Sequence, residues 1–127
     1  MRSTPSSPTR ERTGVRAATV ADASQILAVQ ARTWDAAYRG LLPDRALPRA
    51  DDPQRLAFWR SVLMTGRTAA RVATTRDGAV VGFSTGGPAR DRALGTDQEI
   101  HTLYVLPEHQ GAGLGRKLFR RTVAVLQ

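Results

Sequence analysis

The spacing of apolar residues changes along the chain between periods of about 3.6 and about two, and these changes predict the secondary-structure elements. Val15–Ala18 is a short apolar run that predicts a first strand. Thr19–Asp22 matches a capping box in which aspartate replaces the usual glutamate, and apolar residues follow at helical spacing as far as Trp34. Asp52 and Pro53 predict the start of a second helix, because aspartate caps helices well and proline suits the first helical position.

The second half of the chain has mainly the short period that is typical of strands. Ala70–Thr75 and Ala79–Thr85 predict a β-hairpin, since the Asp-Gly pair between them is a strong turn signal. A polar loop is predicted at Gly86–Asp97 and a further strand at Glu99–Leu106. Apolar positions at helical spacing predict a last helix, so the expected order is β-α-α-β-β-β-α. The residues expected to be buried include Leu114, Leu118, Thr122 and Val125 of that helix and the aromatic residues Trp34, Phe58 and Trp59.

The composition is that of one domain. The chain has 127 residues, of which 41% are hydrophobic, and it contains no cysteine, which suits a reducing cytoplasmic compartment. No apolar run reaches the length that spans a membrane. Residues 1–14 are polar and rich in serine and proline, which predicts a disordered tail rather than a secretory signal. An organellar transit peptide is the alternative interpretation, but the two prolines disfavour an amphipathic helix.

The formal net charge of +8 raises the question of a nucleic-acid partner. The positive charge comes almost entirely from arginines, because Lys117 is the one lysine of the chain. These arginines are scattered, apart from a cluster at the start of the last predicted helix. Nucleic-acid binding would therefore depend on net charge alone, and we do not favour it. The clustered cations are Arg116, Lys117, Arg120 and Arg121.

A glycine-rich segment, HQGAGLGRK, lies between the last predicted strand and the last predicted helix. Three glycines at alternate positions are costly in conformational entropy, and bare amides at a helix start favour an anionic ligand. A Walker A loop and a dinucleotide-binding loop would both require glycine at position 116, which is arginine here. A kinase glycine loop would lead into a strand rather than a helix.

The pattern that fits is Gln-x-x-Gly-x-Gly, which begins at Gln110. The segment Leu103–Gly115, LYVLPEHQGAGLG, resembles the core motif of the GNAT superfamily of acyl-CoA-dependent N-acetyltransferases. Arg16–Asp22 and Trp34–Pro43 are also similar to upstream segments of that family. The resemblance covers residues 15–127 and implies an α+β or α/β fold, with a mixed, mostly antiparallel sheet flanked by helices.

The resemblance implies that acetyl-CoA is the cosubstrate and that an amine is the acceptor. It implies that backbone amides of the glycine loop bind the pyrophosphate, and that the pantetheine arm pairs with the strand that precedes the loop. No metal is implied, and the two histidines lack a paired acidic cluster. The implied cofactor-binding residues are Leu103, Tyr104, Val105, Gln110, Gly111, Ala112, Gly113, Leu114, Gly115 and Arg116.

Acetyl transfer needs an unprotonated amine, and a general base would supply it. Glu99 stands eleven residues before Gln110, where the histone-acetyltransferase branch of the family has its glutamate base. His101 is a second candidate, because alternation puts it on the same strand face. An amide near Val105 is expected to polarise the thioester carbonyl. The acceptor site is expected near Tyr38 and Arg39.

Members of this family continue beyond the last helix with further strands and a helix. The resemblance therefore implies that the domain is incomplete at its C-terminus. No general acid is assigned, and a truncated chain is expected to be poorly active. The alternative functions are a non-catalytic acyl-CoA-binding module and an inactive acetyltransferase. The identity of the acceptor is open, and a homodimer is compatible with the sequence. No membrane partner is expected.

Overall fold

A computed structural model describes residues 14–66, 68–88 and 98–126, which form a mixed α/β fold. The elements follow the predicted order, with two helices after the first strand and one after the last. The three α-helices of the described residues are α1 (Ala23–Tyr38), α2 (Pro53–Thr65) and α3 (Leu114–Leu126). The strands are β1 (Gly14–Ala17), β2 (Ala69–Thr74), β3 (Val80–Pro88) and β4 (Gln98–Val105). The predicted tail falls on residues 1–13, outside the described ranges, and on Gly14, which begins β1.

The four strands form one antiparallel sheet in the order β1-β2-β3-β4. Helix α3 covers one face of the sheet, while α1 and α2 cover the other. The pairs of β3 and β4 residues show which side chains point to each face. Gly82 lies under Leu118 of α3, whereas the ring of Phe83 contacts the ring of Trp59 of α2 at a centroid distance of 5.2 Å. The core lies on both sides of the sheet, and its most buried side chains include Ile26, Leu27, Val72, Phe83 and Leu118.

Local signals account for where most elements begin and end. The Thr19 N–H donates to the Asp22 carboxylate at 2.7 Å, which is the aspartate half of the predicted capping box. The Asp52 carboxylate accepts from the N–H of Gln54 at 2.9 Å, and Gly66 ends α2 in the left-handed conformation with φ +70°. Gly78 also has a positive φ, which the predicted hairpin turn requires. The predicted element order and both caps are therefore confirmed.

Two of the predicted boundaries differ from the observed ones by more than one residue. Helix α1 continues past Trp34 to Tyr38. The prediction of a loop from residue 86 was wrong for Gly86–Pro88, which extend β3 because they pair with β4. A Cβ on Gly86 would lie 2.9 Å from Leu126 of α3, so this glycine allows the helix to approach the sheet closely. The rest of that predicted loop lies outside the described residues.

Two predicted core positions are exposed. Phe58 retains 59% of its accessible surface, because the buried side of α2 is centred on Trp59, which is only 4% exposed. Val125 is 48% exposed, since Leu126 contributes the side chain near Gly86 in its place. Trp34 is half-buried at the α1–β4 contact, where its indole N–H donates to the Tyr104 hydroxyl at 3.1 Å.

Candidate functional site

The glycine loop before α3 is open on its outer side. Gly111 and Gly113 have φ values of +88° and +83°, a conformation that other residues rarely adopt. A Cβ at either position would meet no described protein atom within 4 Å. Backbone geometry therefore favours glycine at these two positions, and no described protein atom crowds the space where their side chains would lie.

The backbone amides of this loop make no hydrogen bond to a described backbone carbonyl. The first helical bond of α3 runs from the Lys117 N–H to the Gly113 carbonyl at 3.1 Å. The N–H groups of residues 111–116 donate to no other described backbone carbonyl, whereas those of His109 and Gln110 bond to the turn that precedes the loop. Unsatisfied amides at a helix start form an anion-binding site, and α3 adds the positive end of its dipole.

The side chain of Gln110 connects the loop to the end of β4. Its Nε2 donates to the Val105 carbonyl at 2.9 Å. Val105 pairs with Gly82, and the neighbouring Leu106 N–H donates to the Val81 carbonyl at 2.9 Å. Because successive backbone groups of a strand point in opposite directions, the N–H groups of Leu103 and Val105 point away from β3. The N–H of Tyr104 points toward β3, so Tyr104 has no backbone N–H on the outward edge of β4.

Gly115 places the loop beside this outward edge of β4. It lies in the first turn of α3, and a Cβ on it would be 3.8 Å from the Leu103 side chain and 3.9 Å from the Val105 side chain. These are ordinary van der Waals distances. The first turn of α3, which follows the loop amides, thus lies beside Leu103 and Val105, the two β4 residues whose N–H groups point away from β3.

A β-bulge in β4 changes the direction of the side chains that precede Thr102. Thr102 pairs with Thr85, but Ile100 rather than His101 pairs with Gly86, so His101 is the extra residue. Glu99 pairs with Gly87 and therefore shares the sheet face of Thr85, which α1 and α2 cover. Strict alternation would have put Glu99 on the α3 face with Leu103 and Val105. The predicted base thus lies on the opposite sheet face from the side chains beside the glycine loop.

His101 lies on the α1–α2 side of the sheet and lines a cavity of about 260 Å³ there. Its Nε2 is 3.0 Å from the carbonyl oxygen of Pro88. A carbonyl can only accept, so Nε2 carries the hydrogen, and in the neutral ring Nδ1 is the unprotonated nitrogen. Glu99 and His101 lie two positions apart at the N-terminal end of β4, and the structure brings both to this face.

Tyr38 and Arg39, predicted at the acceptor site, lie at the C-terminal end of α1. The Tyr38 ring packs against Trp34 at a centroid distance of 5.2 Å, and Arg39 forms an ion pair with Asp35. A second cavity of about 450 Å³ lies beside them, between α1 and the segment after β4. Its lining residues are Ala31, Arg32, Asp35, Ala36, Arg39, Pro48 and Pro107.

Sequence patterns did not single out Arg32 and Glu108, although they join α1 to the segment before the glycine loop. An Arg32 nitrogen lies 2.9 and 2.8 Å from the two Glu108 carboxylate oxygens. The pKa of Glu108 is lowered by a hydrogen bond from its own backbone N–H and by Arg32. Both side chains are about half exposed, so solvent screens the pair and its contribution to stability is small. A separation of 76 residues left no local signal by which it could have been found.

The four clustered cations lie on the exposed surface of α3. Arg116 is nearest the glycine loop, and an Arg121 nitrogen lies 3.5 Å from the Val15 carbonyl of β1. Among residues 14–66, 68–88 and 98–126, no cluster of three histidine or acidic side chains could hold a metal ion. Within the same ranges, every helix is too short or too polar to cross a membrane.

Comparison with known proteins gives three kinds of match. The profile of the Acetyltransferase (GNAT) family matches residues 34–127. The uncharacterized N-acetyltransferase YuaI of Bacillus subtilis (strain 168) is 31% identical over 107 residues, which are 84% of this chain and 60% of YuaI. This chain therefore spans less than two thirds of the length of YuaI.

The fold is also similar to solved structures. PaiA N-acetyltransferase from Thermoplasma acidophilum, in complex with coenzyme A, has a TM-score of 0.67 at 16% identity, with 89% of this chain and 70% of that chain covered. YncA from Salmonella typhimurium, with its cofactor acetyl-CoA, has a TM-score of 0.64 at 28% identity, with 90% and 62% covered. The similarity to PaiA, at this low identity, shows a shared fold alone.

Proposed function

Because the chain belongs to the acetyltransferase (GNAT) family, we propose that it transfers an acetyl group from acetyl-CoA to an amine, in a complex that holds both substrates. The observation that carries this proposal is that the amides of residues 111–116 donate to no described backbone carbonyl, at the start of a helix whose first turn lies beside Leu103 and Val105 of β4. Coenzyme A has the matching shape, since its pyrophosphate is followed by an extended arm that contains two amides. The complex of YncA with its cofactor acetyl-CoA supports the same ligand.

The pyrophosphate would bind the amides at the start of α3, with Gly111 and Gly113 removing the side chains that would otherwise stand in the way. Each anionic group at a helix N-terminus gains about 0.3–1 kcal/mol. The pantetheine arm would pair with Leu103 and Val105, as an added strand does. Arg116 would add positive charge beside the phosphates, and Gln110 would hold the loop against the strand through the Val105 carbonyl.

The outward N–H groups of Leu103 and Val105 are the two candidates for polarising the thioester carbonyl. An amide that is fixed in a sheet needs no reorganisation when negative charge develops on the carbonyl oxygen. The Leu103 amide lies closer along the strand to Glu99 and His101. The attacking amine would come from the α1–α2 face and the thioester from the α3 side, so the two substrates would meet at the edge of β4.

Glu99 is the proposed general base. An alkylammonium has a pKa of about 10.4, so holding the free amine near neutral pH costs about 4–5 kcal/mol. A base that takes the proton, directly or through a water molecule, typically accelerates such a step by roughly 10²–10⁴-fold. His101 is the second candidate, since the Pro88 carbonyl leaves Nδ1 of the neutral ring able to accept a proton. The amine nitrogen then bonds to the acetyl carbon, and the thiolate of coenzyme A leaves.

Thermal unfolding with acetyl-CoA, ATP or NAD, together with a thiol-release assay, tests the proposal. A ligand at 100 times its Kd stabilises the folded state by about 2.7 kcal/mol, which raises the Tm by several degrees. We expect this shift with acetyl-CoA and not with ATP or NAD. A larger shift with ATP would contradict the ligand assignment. If the chain binds acetyl-CoA but releases no thiol from it in the presence of any amine, an acyl-CoA-binding module would be favoured instead.

A further inference from the structure

The cavity beside His101 lies between α2 and the middle of the β3–β4 pair. It is lined by Gln30, Phe58, Trp59, Val62, Thr68, Thr85, His101 and Thr102, and it encloses about 260 Å³. An apolar cavity of roughly 150 Å³ is enough to bind benzene. The space is therefore sufficient for one ring that carries a short chain.

One wall of this cavity is apolar and the opposite wall carries neutral polar groups. Phe58, Trp59 and Val62 of α2 form the apolar wall. The Trp59 indole N–H donates to the Gln30 side-chain oxygen at 3.1 Å, which holds the indole in one orientation. An aromatic ring of a ligand would find edge or face contacts there, which contribute about 0.5–1.5 kcal/mol beyond the burial of its surface.

The polar wall can donate hydrogen bonds but brings no negative charge to the cavity. The hydroxyl oxygens of Thr85 and Thr102 are 2.7 Å apart, so one donates to the other and one hydroxyl hydrogen of this pair is left for a ligand. Among the described residues, eight line the cavity and none of these is acidic. A second ammonium group of a ligand seated among these residues would lose its hydration without gaining a carboxylate partner, since Glu99 is not one of the lining residues, and this is costly. The net charge of +8 adds long-range repulsion against polycations.

The cavity lies next to both candidate bases. His101 is one of its lining residues, and Glu99 stands two positions before His101, on the same side of the sheet through its pairing with Gly87. Two positions along a strand span about 7 Å. A group seated against Trp59 could thus carry an amine on a short chain to the edge of β4. The larger cavity near Arg39 differs in chemistry, since its walls hold the ion-paired side chains of Arg32, Asp35 and Arg39.

We propose that the cavity beside His101 holds the uncharged aromatic group of a monoamine acceptor, so that arylalkylamines are preferred over polyamines. This inference rests on the proposed acetyl transfer, but binding of the amine is measured in an assay that does not depend on turnover. Binding can be followed through Trp59, because the chain has two tryptophans and the Trp34→Phe variant keeps only the one that lines the cavity.

The probes are 2-phenylethylamine and spermidine, and the variants are Val62→Phe and Ser61→Phe. Val62 lines the cavity, whereas its neighbour Ser61 is exposed on another side of α2, so the same ring is added inside and outside the cavity. In the Trp34→Phe background we expect 2-phenylethylamine to change the Trp59 fluorescence in a saturable way, and spermidine to leave it unchanged. Val62→Phe should weaken this binding at least about tenfold, and Ser61→Phe less than about twofold.

Acetyl transfer is then measured with both amines on the full 127-residue chain. We expect kcat/KM to be at least about tenfold higher for 2-phenylethylamine, and Val62→Phe to raise the KM for that amine while the Kd for acetyl-CoA is unchanged. Binding of acetyl-CoA also shows that a variant is folded. If Val62→Phe no longer binds acetyl-CoA, Thr68→Leu is used as the second cavity-filling variant, with the same expected results.

The outcomes separate the two proposals. Binding of 2-phenylethylamine that Val62→Phe abolishes, without turnover of any amine, would support the cavity and contradict acetyl transfer. A preference for spermidine, or 2-phenylethylamine binding that neither cavity-filling variant affects, would overturn the cavity proposal and leave acetyl transfer standing. No change in Trp59 fluorescence with 2-phenylethylamine would overturn it as well.

Discussion

The side-chain nitrogen of Gln110 donates a hydrogen bond to the backbone carbonyl of Val105 at 2.9 Å. This bond joins the first residue of the glycine motif to the last residue of β4. It satisfies a carbonyl that points away from the sheet, at the place where the strand ends. The two parts of the proposed coenzyme A site, which lie on different elements, are thereby held at a constant spacing.

Replacing Gln110 by methionine keeps the length of the side chain and removes the donor. A hydrogen bond of this kind contributes about 0.5–1.5 kcal/mol, so we expect the Kd for acetyl-CoA to rise by about 2- to 10-fold. Titration calorimetry measures this change. His109→Ala, one residue earlier in the same turn, is the matched control and should alter the Kd by less than about twofold. Equal effects of the two substitutions would argue against a specific role for Gln110.

Gly115→Val and Gly113→Val should have different consequences. Position 115 lies in a helical turn, with Leu103 and Val105 at 3.8 and 3.9 Å from a built Cβ, so a side chain there is accommodated by the protein but occupies the proposed ligand path. We expect Gly115→Val to weaken acetyl-CoA binding at least about tenfold, or about 1.4 kcal/mol, with little change in Tm. Gly113→Val should also lower the Tm, because φ +83° strains a branched residue by about 1–3 kcal/mol. Unchanged affinity in Gly115→Val would place the ligand elsewhere.

Glu99→Gln should lower kcat by roughly 10²–10⁴-fold and leave the Kd for acetyl-CoA nearly unchanged, because a base acts on the acceptor rather than on the donor. Steady-state rates across pH, with an amine that the enzyme accepts, measure the effect. His101→Ala is the comparison, since both side chains lie on the same face. If His101→Ala removes the fall in activity toward low pH and Glu99→Gln does not, the role of base belongs to His101.

The stability of the fold should depend on pH through Asp22. The buried Asp22 carboxylate accepts two hydrogen bonds of 2.9 Å from Arg16, and these lower its pKa despite the burial. Because the folded pKa lies below the unfolded value of about 3.9, this contribution is present above that pH and is lost as the pH falls through the folded pKa.

Urea unfolding of the parent chain and of Asp22→Asn measures this contribution. At pH 7 we expect the variant to be less stable by roughly 1.5–3 kcal/mol, the value of hydrogen bonds to a charged group. The difference should shrink below about pH 4, where the parent loses its charge on Asp22 as well. A difference that stays constant down to pH 2 would mean that the Arg16 pair contributes nothing that depends on ionisation.

The sequence by itself determined the features that depend on neighbours in the chain. The cap at Asp52, the turn at Gly78 and the glycine loop at Gly111–Gly113 follow from backbone preferences of a few adjacent residues. The order of the elements follows from the period of apolar residues. The motif from Gln110 to Gly115 likewise indicated the family, because its spacing reflects the local geometry of a strand, a loop and a helix start.

Only the tertiary structure decided the features that depend on pairing between distant segments. The bulge at His101 comes from the register between β3 and β4, and it moves Glu99 to the sheet face opposite to the one that alternation predicts. Gly86 became part of a strand because β4 pairs with it and α3 packs closely over it. The cavity beside His101 combines residues of α1, α2, β3 and β4. A local pattern specifies the backbone of its own segment, but such sites form only when the free energy of the whole core selects one register and one packing arrangement.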